Sequence, residues 1–476
     1  MSKAASAGVA PHSAQSRRPQ HRNIELLLLL MVVVIAVVLT AAVEAALRDE
    51  ITVATIYLPL SIGAAFLALH LAVRFLAPYA DPIILPCAAL INAIGIIFIW
   101  RLSLGDVAAD ERAQAGVFIG QGLRQLLWLL AAVVLFVAVL AIVRDHRLLA
   151  RFSYTAGFIG IALVLLPAML PSSISEVNGA KIWIRLGGFS IQPGEFAKLA
   201  LLVFFAAYLV AKRDVLSLAS KRFAGIDFPR GRDLGPVVTA WAVSLLVLVF
   251  ERDLGSSLMY FGIFISMLYV ATERTSWLVI GLTLFGAGAV LAWTMFSHIQ
   301  LRVDIWLNPF ADPSGDGFQI VQSLFGLGTG GLFGTGPGAG NPESLNQYAS
   351  SDFVIATVGE EVGLFGLGGV LMMYLIIAQR GVRNSLDVRD SFGKLLGAGL
   401  SFALALQVFA IVGGVTKLIP LTGLTTPLLS YGGSSLVANW CLIALLIRLS
   451  DSARRPPTRR PAVLQLRHAP TEVITR

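Results

Sequence analysis

Twelve apolar runs recur along the chain, and no other feature limits its possible folds so tightly. Each is about 16 to 22 residues long, close to what a helix needs to cross a hydrocarbon core of roughly 30 Å. In lipid each backbone N–H and C=O must be satisfied within its own segment, so the runs are read as helices. They are Ile24 to Val43, Thr55 to Leu76, Ile83 to Trp100, Leu126 to Val143, Tyr154 to Leu170 and Phe196 to Val210, followed by Gly235 to Phe250, Ser256 to Thr272, Trp277 to Phe296, Val362 to Ala378, Leu395 to Val415 and Ser435 to Leu449. The first exceeds the apolar core of a cleavable signal and more spans follow it, so it is kept as an anchor. Of 476 residues 56% are hydrophobic and 13% charged, with mean hydropathy +0.78, which a water-facing domain rarely reaches. Cys87 and Cys441 lie in separate apolar runs, which supports neither a disulfide framework nor a thiolate metal site.

The net charge of +8 sits in loops and tails. It reads as membrane topology rather than nucleic-acid binding. Starting inside after Arg17, Arg18 and Arg22, alternation places Arg144, Arg147 and Arg151 inside. It also places there Lys212, Arg213, Lys221, Arg222, Arg230 and Arg232, then Arg380, Arg383, Arg389 and Lys394, and finally the Arg-rich C-terminal segment. Scattered bases remain outside, among them Arg48, Arg101, Arg112, Lys181, Arg185, Arg302 and Lys417. Both termini are therefore expected in the cytoplasm, with residues 1–23 and 451–476 as disordered basic tails.

With this topology the polar segments at membrane level all face outward: Asn178 to Lys198, Glu251 to Gly255, the long connection 297–361, and Lys417 to Ser435. In Gln192-Pro193-Gly194-Glu195-Phe196-Ala197-Lys198 the proline suits a helix start, and Glu195 and Lys198 share one face. They are either a dipole-matched acid with a snorkelling lysine or a charged pair at the mouth of a cavity. Glu251-Arg252-Asp253 leaves almost no loop between two spans, so it is a salt-bridged tight turn or a ligand-facing helix break. Asn308 to Gly317 carries Asp312 among turn residues and lacks the spacing of a calcium loop. Gly326 to Gly340 has no phosphate-loop lysine, which excludes nucleotide binding of that kind. Ser351-Asp352-Phe353 and Gly359-Glu360-Glu361 put three carboxylates where the chain re-enters the membrane. There they serve as an acidic helix start or supply a general base with a raised pKa. Pro420 to Pro427 and Ser430 to Ser435 combine helix breakers with small hydroxyl residues, suited to close packing or to sugar hydrogen bonds.

In this order, Asn178-Gly179-Ala180, Gln192 to Lys198, Asp253-Leu254-Gly255, Asp312-Pro313, Asp352-Phe353, Glu360-Glu361 and Ser430 to Ser435 resemble the SEDS family (shape, elongation, division and sporulation), over about Ile83 to Leu449. The sequence looks closer to the elongation branch than to the division branch. The resemblance implies an all-α integral membrane protein: a ten-helix core at 83–450, an outer loop at about 297–361, and two extra N-terminal helices within 24–82. It implies a peptidoglycan glycosyltransferase that polymerises lipid II into β-1,4 glycan at the outer face and releases polyprenyl pyrophosphate. The family's essential outer-loop aspartate falls at Asp352, implied to be catalytic. Its helix-borne acid and lysine fall at Glu195 and Lys198 and its buried acid at Asp253. Asp312, Glu360, Lys417, Ser430 and Ser434 are carried as substrate-binding residues. Where relatives carry arginines, Ile182 and Ser190 stand here, and Lys181 and Arg185 are the expected replacements for phosphate binding. The resemblance also implies a divalent cation, magnesium or manganese, with no organic cofactor. The implied partners are a class B penicillin-binding protein transpeptidase and other membrane proteins of the elongation complex. A flippase for the same precursor, or a scaffold for other wall enzymes, would also use many spans with charges at membrane level.

Overall fold

The computed structural model describes residues 22–49, 51–105, 120–177, 180–186, 189–216, 219–223, 226–229, 234–251 and 253–456. Most of both expected tails lies outside them, as do Arg112, Asn178, Gly179, Arg230, Arg232 and Arg252.

Each of the twelve apolar runs is a helix. They are α1 (Arg22–Arg48), α2 (Ala54–Leu76), α3 (Ile84–Gly105), α4 (Gln121–Ile142), α5 (Ser153–Met169), α6 (Pro193–Leu216), α7 (Gly235–Glu251), α8 (Leu254–Thr272), α9 (Thr275–Met295), α10 (Val354–Asp387), α11 (Ser391–Val415) and α12 (Gly433–Arg454). Ten of these are long and apolar enough to cross a membrane, and α5 and α7 are shorter apolar helices. The chain is an all-α, multi-pass membrane protein. Its only described strands form three antiparallel hairpins: β1 (Glu176–Val177) with β2 (Ala180–Lys181), β3 (Ile184–Leu186) with β4 (Phe189–Ile191), and β5 (Ala219–Phe223) with β6 (Ile226–Pro229).

Buried along almost its whole length, α12 packs on α4 and α10, while α11 bridges α6, α8 and α10. Helix α9 is peripheral and turns most of its surface outward. The first two helices pack on each other, α1 also on α3 and α2 on α4. At one end of the bundle Asp81 collects Arg380 (3.5 Å), Asn384 (3.2 Å) and Arg454, and Asp451 accepts the Tyr79 N–H at 2.9 Å. Helix α12 therefore continues through Asp451 to Arg454, past the expected start of the tail. The connections 297–353 and 416–432 lie at the other end, the loop end.

The long connection is shorter than the expected 297–361 and carries short helices. It holds a helix at Ser297–Leu307, another at Phe318–Gly330 and 3-10 turns at Pro309–Ala311 and Pro342–Ser350, and α10 begins at Val354. Glu360 and Glu361 thus lie inside α10, not in the loop. That helix breaks at Gly363, where φ is +69°. The glycine-rich segment lies along the break: Thr335 and Gly336 donate their N–H groups to the carbonyls of Glu360 and Glu361 (both 3.0 Å), and Leu364 and Phe365 donate theirs to Gly331 (2.9 Å) and Leu332 (3.1 Å). A Cβ on Gly334 or Gly363 would collide with the opposite backbone, so these glycines serve close approach rather than phosphate binding.

Candidate active site at the loop end

The segment 416–432 is non-helical backbone held inside a helical bundle, and buried polar side chains satisfy it. Asn92 donates to the Leu428 carbonyl at 2.9 Å, Gln125 to that of Ser430 at 3.2 Å, Gln407 to that of Thr425 at 2.9 Å, and Tyr374 to that of Pro427. An unpaired carbonyl at this depth would cost several kcal/mol, which explains why lone Asn and Gln residues stand in apolar helices. Ser430 belongs to the same framework. Its Oγ donates to the Ser351 carbonyl at 2.6 Å and accepts the Thr426 N–H at 2.8 Å, while Tyr431 N–H reaches the Ser350 carbonyl at 2.7 Å. The residue preceding Asp352 is thus fixed to the loop. Ser434 Oγ accepts the Gln192 N–H at 2.9 Å and ties the start of α6 to α12.

Asp352 is not the helix cap that its spacing allowed. Phe353 occupies the N-cap of α10 without a side-chain bond. The Asp352 carboxyl is half-buried by surface area but set deep in the protein mass. That desolvation raises its pKa to about 6, with Arg302 lowering it and Asp253 adding a small upward push. Asp253 caps α8, accepting the N–H groups of Gly255 (2.9 Å) and Ser256 (3.3 Å) and the Ser256 hydroxyl. Asp253 therefore caps the break between the two helices. Lys198 donates to Glu195 at 2.9 Å and to Gln407 Oε1 at 2.7 Å, all three buried in a crevice with Gln192 and Tyr260.

Arg302, on the helix Ser297–Leu307, joins these parts. Its guanidinium donates to the carbonyls of Leu421 (3.0 Å) and Thr422 (3.3 Å), and its charge reaches both Asp352 and Asp253. It borders a cavity of about 420 Å³ between α7, α8, α9 and α11, whose walls are almost wholly apolar and include Trp241, Phe261, Phe285 and Phe409. It also borders a small crevice whose mostly apolar walls carry Asp316, Gln319 and Lys417 beside Trp306.

Other expected site residues stand elsewhere. Glu360 accepts the Asn341 N–H at 2.8 Å, and Glu361 pairs with Arg101 at 2.6 Å and accepts the Gly338 N–H at 2.7 Å. Arg101 also binds Glu343, so these carboxylates hold the glycine-rich segment rather than joining Asp352. Asp312 is exposed and accepts N–H groups of its own turn from Gly315 (3.0 Å) and Asp316 (3.2 Å). Arg185 is exposed on β3, and its guanidinium donates to the carbonyls of Ser173 (3.2 Å) and Glu176 (2.9 Å). Lys181 lies on the neighbouring hairpin in β2. Sequence reasoning had counted Arg302 only as a scattered outer base and passed over Gln407, Asn92 and Gln125. An amide side chain in the middle of an apolar run was the available signal for the last three.

Residues 81–455 match the family model described as cell cycle protein. The chain is 50% identical over 472 residues to "Peptidoglycan glycosyltransferase RodA" of Mycobacterium tuberculosis (strain ATCC 25618 / H37Rv), covering 98% of each chain. It is 32% identical over 377 residues to "Probable peptidoglycan glycosyltransferase FtsW" of Geobacter sp. (strain M18), covering 79% of this chain and 97% of the other. A solved structure described as "Structural coordination of polymerization and crosslinking by a peptidoglycan synthase complex" contains a chain with the same fold, at 24% identity and a TM-score of 0.60, over 79% of this chain and 99% of that one.

Proposed function

Because the chain belongs to the SEDS family, whose model is described as cell cycle protein, we propose that it is a peptidoglycan glycosyltransferase of the elongation branch that polymerises lipid II, with Asp352 as its general base. The observation that carries this reading is the setting of Asp352. It is a carboxylate whose preceding carbonyl is anchored by Ser430, whose pKa burial raises to about 6, and which lies within the field of an arginine that also borders a membrane-level apolar cavity.

In the reaction, ionised Asp352 takes the proton of the acceptor sugar hydroxyl as its oxygen attacks the anomeric carbon of a second, pyrophosphate-linked sugar. The bond from that carbon to the pyrophosphate oxygen breaks, inversion gives a β-1,4 link, and polyprenyl pyrophosphate leaves. The apolar cavity takes the part of the polyprenyl chain nearest the headgroup. Buried Glu195 and Lys198, with Gln407, hold the floor beneath the loop, and Asp253, Ser430 and Ser434 fix the breaks that shape it. Lys181, Arg185, Asp312 and Glu360 belong to the segments that frame the sugar-facing side. The distribution of basic loops supports a topology with the opposite end and both termini in the cytoplasm and Asp352 facing outward.

Among the described residues no three His, Cys, Asp or Glu side chains converge on a metal site. A magnesium or manganese ion would be held here by Asp316, the carboxylate that lines the crevice. Bound there, it would neutralise charge on the leaving group. Precursor flipping would need a path through both ends, whereas the buried Asp81 network packs the cytoplasmic one. The partner is a class B penicillin-binding protein transpeptidase, with other elongation-complex membrane proteins around it.

The deciding experiment supplies purified wild-type and Asp352→Asn chains, each with the transpeptidase, lipid II and a divalent ion, and resolves glycan chains on a gel. Polymer from wild type alone is expected. Equal polymer from the variant would remove Asp352 from the chemistry.

A further inference from the structure

Resting on the glycosyltransferase reading, we infer that Arg302 and Lys417, rather than Lys181 and Arg185, form the pyrophosphate-binding site of the polyprenyl-linked substrate, at the junction of the small crevice and the apolar cavity.

Geometry argues first. A polyprenyl diphosphate needs an apolar slot and a cationic site at one end of it. Arg302 and Ile419 line both the apolar cavity and the crevice that contains Lys417, and Arg302 is the charged one of the two. The cavity, at about 420 Å³, lies in the range of small-molecule sites. The crevice, at about 40 Å³, has room for roughly three waters, a phosphoryl-sized space. A diphosphate with its lipid-linked phosphate at the cavity mouth would place one phosphate on each side of Arg302.

Charge argues second. Among the described residues Arg302 donates to two neutral carbonyls and makes no ion pair, and Lys417 makes none either. Arg185 bonds to hairpin carbonyls on an exposed strand and lines neither space. The one carboxylate of the crevice, Asp316, would oppose an anion unless a divalent ion bridged them. Planar guanidinium with a mobile ammonium is a common phosphate-binding pair.

Backbone argues third. Helix α11 ends in a two-bond cap in which Leu418 N–H reaches the Gly413 carbonyl (2.7 Å) and Lys417 N–H that of Gly414 (3.2 Å). This cap puts Lys417 at φ +61°, a position that glycine or asparagine normally fills. Its carbonyl meanwhile accepts the Trp306 indole N–H at 3.2 Å, which locks the turn against the helix that carries Arg302. A lysine kept where its backbone is unfavourable is explained by its ammonium.

The test titrates farnesyl diphosphate and farnesol into the full-length chain in lipid nanodiscs by calorimetry. Wild type should prefer the diphosphate, and Arg302→Gln and Lys417→Gln should each weaken diphosphate binding by about tenfold. Farnesol binding should be unchanged in both. Arg302 also supports the 421–422 backbone, so Lys417→Gly supplies the control. Relieved of its left-handed strain, it should unfold at the same or a higher temperature and still lose the diphosphate preference. Asp352→Asn, which removes a negative charge within the field of Arg302, should bind the diphosphate at least as tightly as wild type. Wild-type affinity in both glutamine variants, or no preference in wild type, would overturn the inference. Polymer formation by wild type in the gel assay would still stand in either case, so the two failures are separable.

Discussion

At Asp352 the sign of the pKa shift decides the pH profile. A general base works ionised, and burial raises this carboxyl to about 6, so polymerisation at saturating lipid II should fall as pH drops through about 6. Arg302 is the charge that holds the value down, and Asp253 the one that pushes it up. Removing the guanidinium in Arg302→Gln should therefore move the acid limb to higher pH, whereas Arg302→Lys should hold it near the wild-type position. A rate–pH series on the three chains checks this. An unmoved limb in Arg302→Gln would mean that the two side chains are not coupled. Such a residue is hard to single out in the sequence, because one arginine in a long connection looks like any other interfacial base. Asp352 was legible only through the order of motifs around it, since its spacing fits a helix cap equally well. What separates the two is the Ser430 bond to the preceding carbonyl, a contact across 79 positions.

Helices and their breaks follow a different logic. All twelve apolar runs could be read directly, because a span must satisfy its own backbone and so must be long and continuous. The pairing of Glu195 with Lys198 was legible for a similar reason, since three residues apart on a helix means one face. Gln407, which completes that pair, was not, because nothing in one run shows which side chain of another will face it. With all three buried, Glu195→Ala should leave the Lys198 charge short of its partner and destabilise the fold by about 3–5 kcal/mol, read as lost thermal stability in detergent. The start of α10 was misplaced because Gly359 to Gly363 looks like loop. It is a helix whose kink is satisfied by the glycine-rich segment opposite. Gly363→Ala would put a Cβ into the backbone of Phe333 and Gly334 while forcing a positive φ, so a loss of more than about 2 kcal/mol is expected. Its readout is the yield of monodisperse protein, and a wild-type yield would show that the break tolerates a side chain.

Across the whole molecule, α1 and α2 raise a separate question, since the family match begins at residue 81 and all the candidate chemistry lies beyond it. The pair is attached in two ways. Its apolar faces meet α3 and α4, and Val43 and Ala46 of α1 lie against Gly338 of the glycine-rich segment. A buried polar cluster at the opposite end joins Glu25 to Arg22 (2.6 Å) and His70 (2.8 Å), with Arg22 also reaching the Ala80 carbonyl. Acyl chains can replace apolar helix contacts at little cost, because there is no hydrophobic drive between helices in lipid. They cannot replace a carboxylate that faces a buried guanidinium. Removing residues 1–74 takes Arg22, Glu25 and His70 away together and should leave a core that inserts, folds and polymerises with a modest loss of thermal stability. Glu25→Ala in the full chain leaves Arg22 and His70 buried without their carboxylate, at a cost of about 3–5 kcal/mol. The point variant should therefore be less stable than the deletion. Thermal unfolding of both in the same nanodiscs gives the order, and the reverse order would mean that apolar packing, not the polar cluster, fixes the pair to the core.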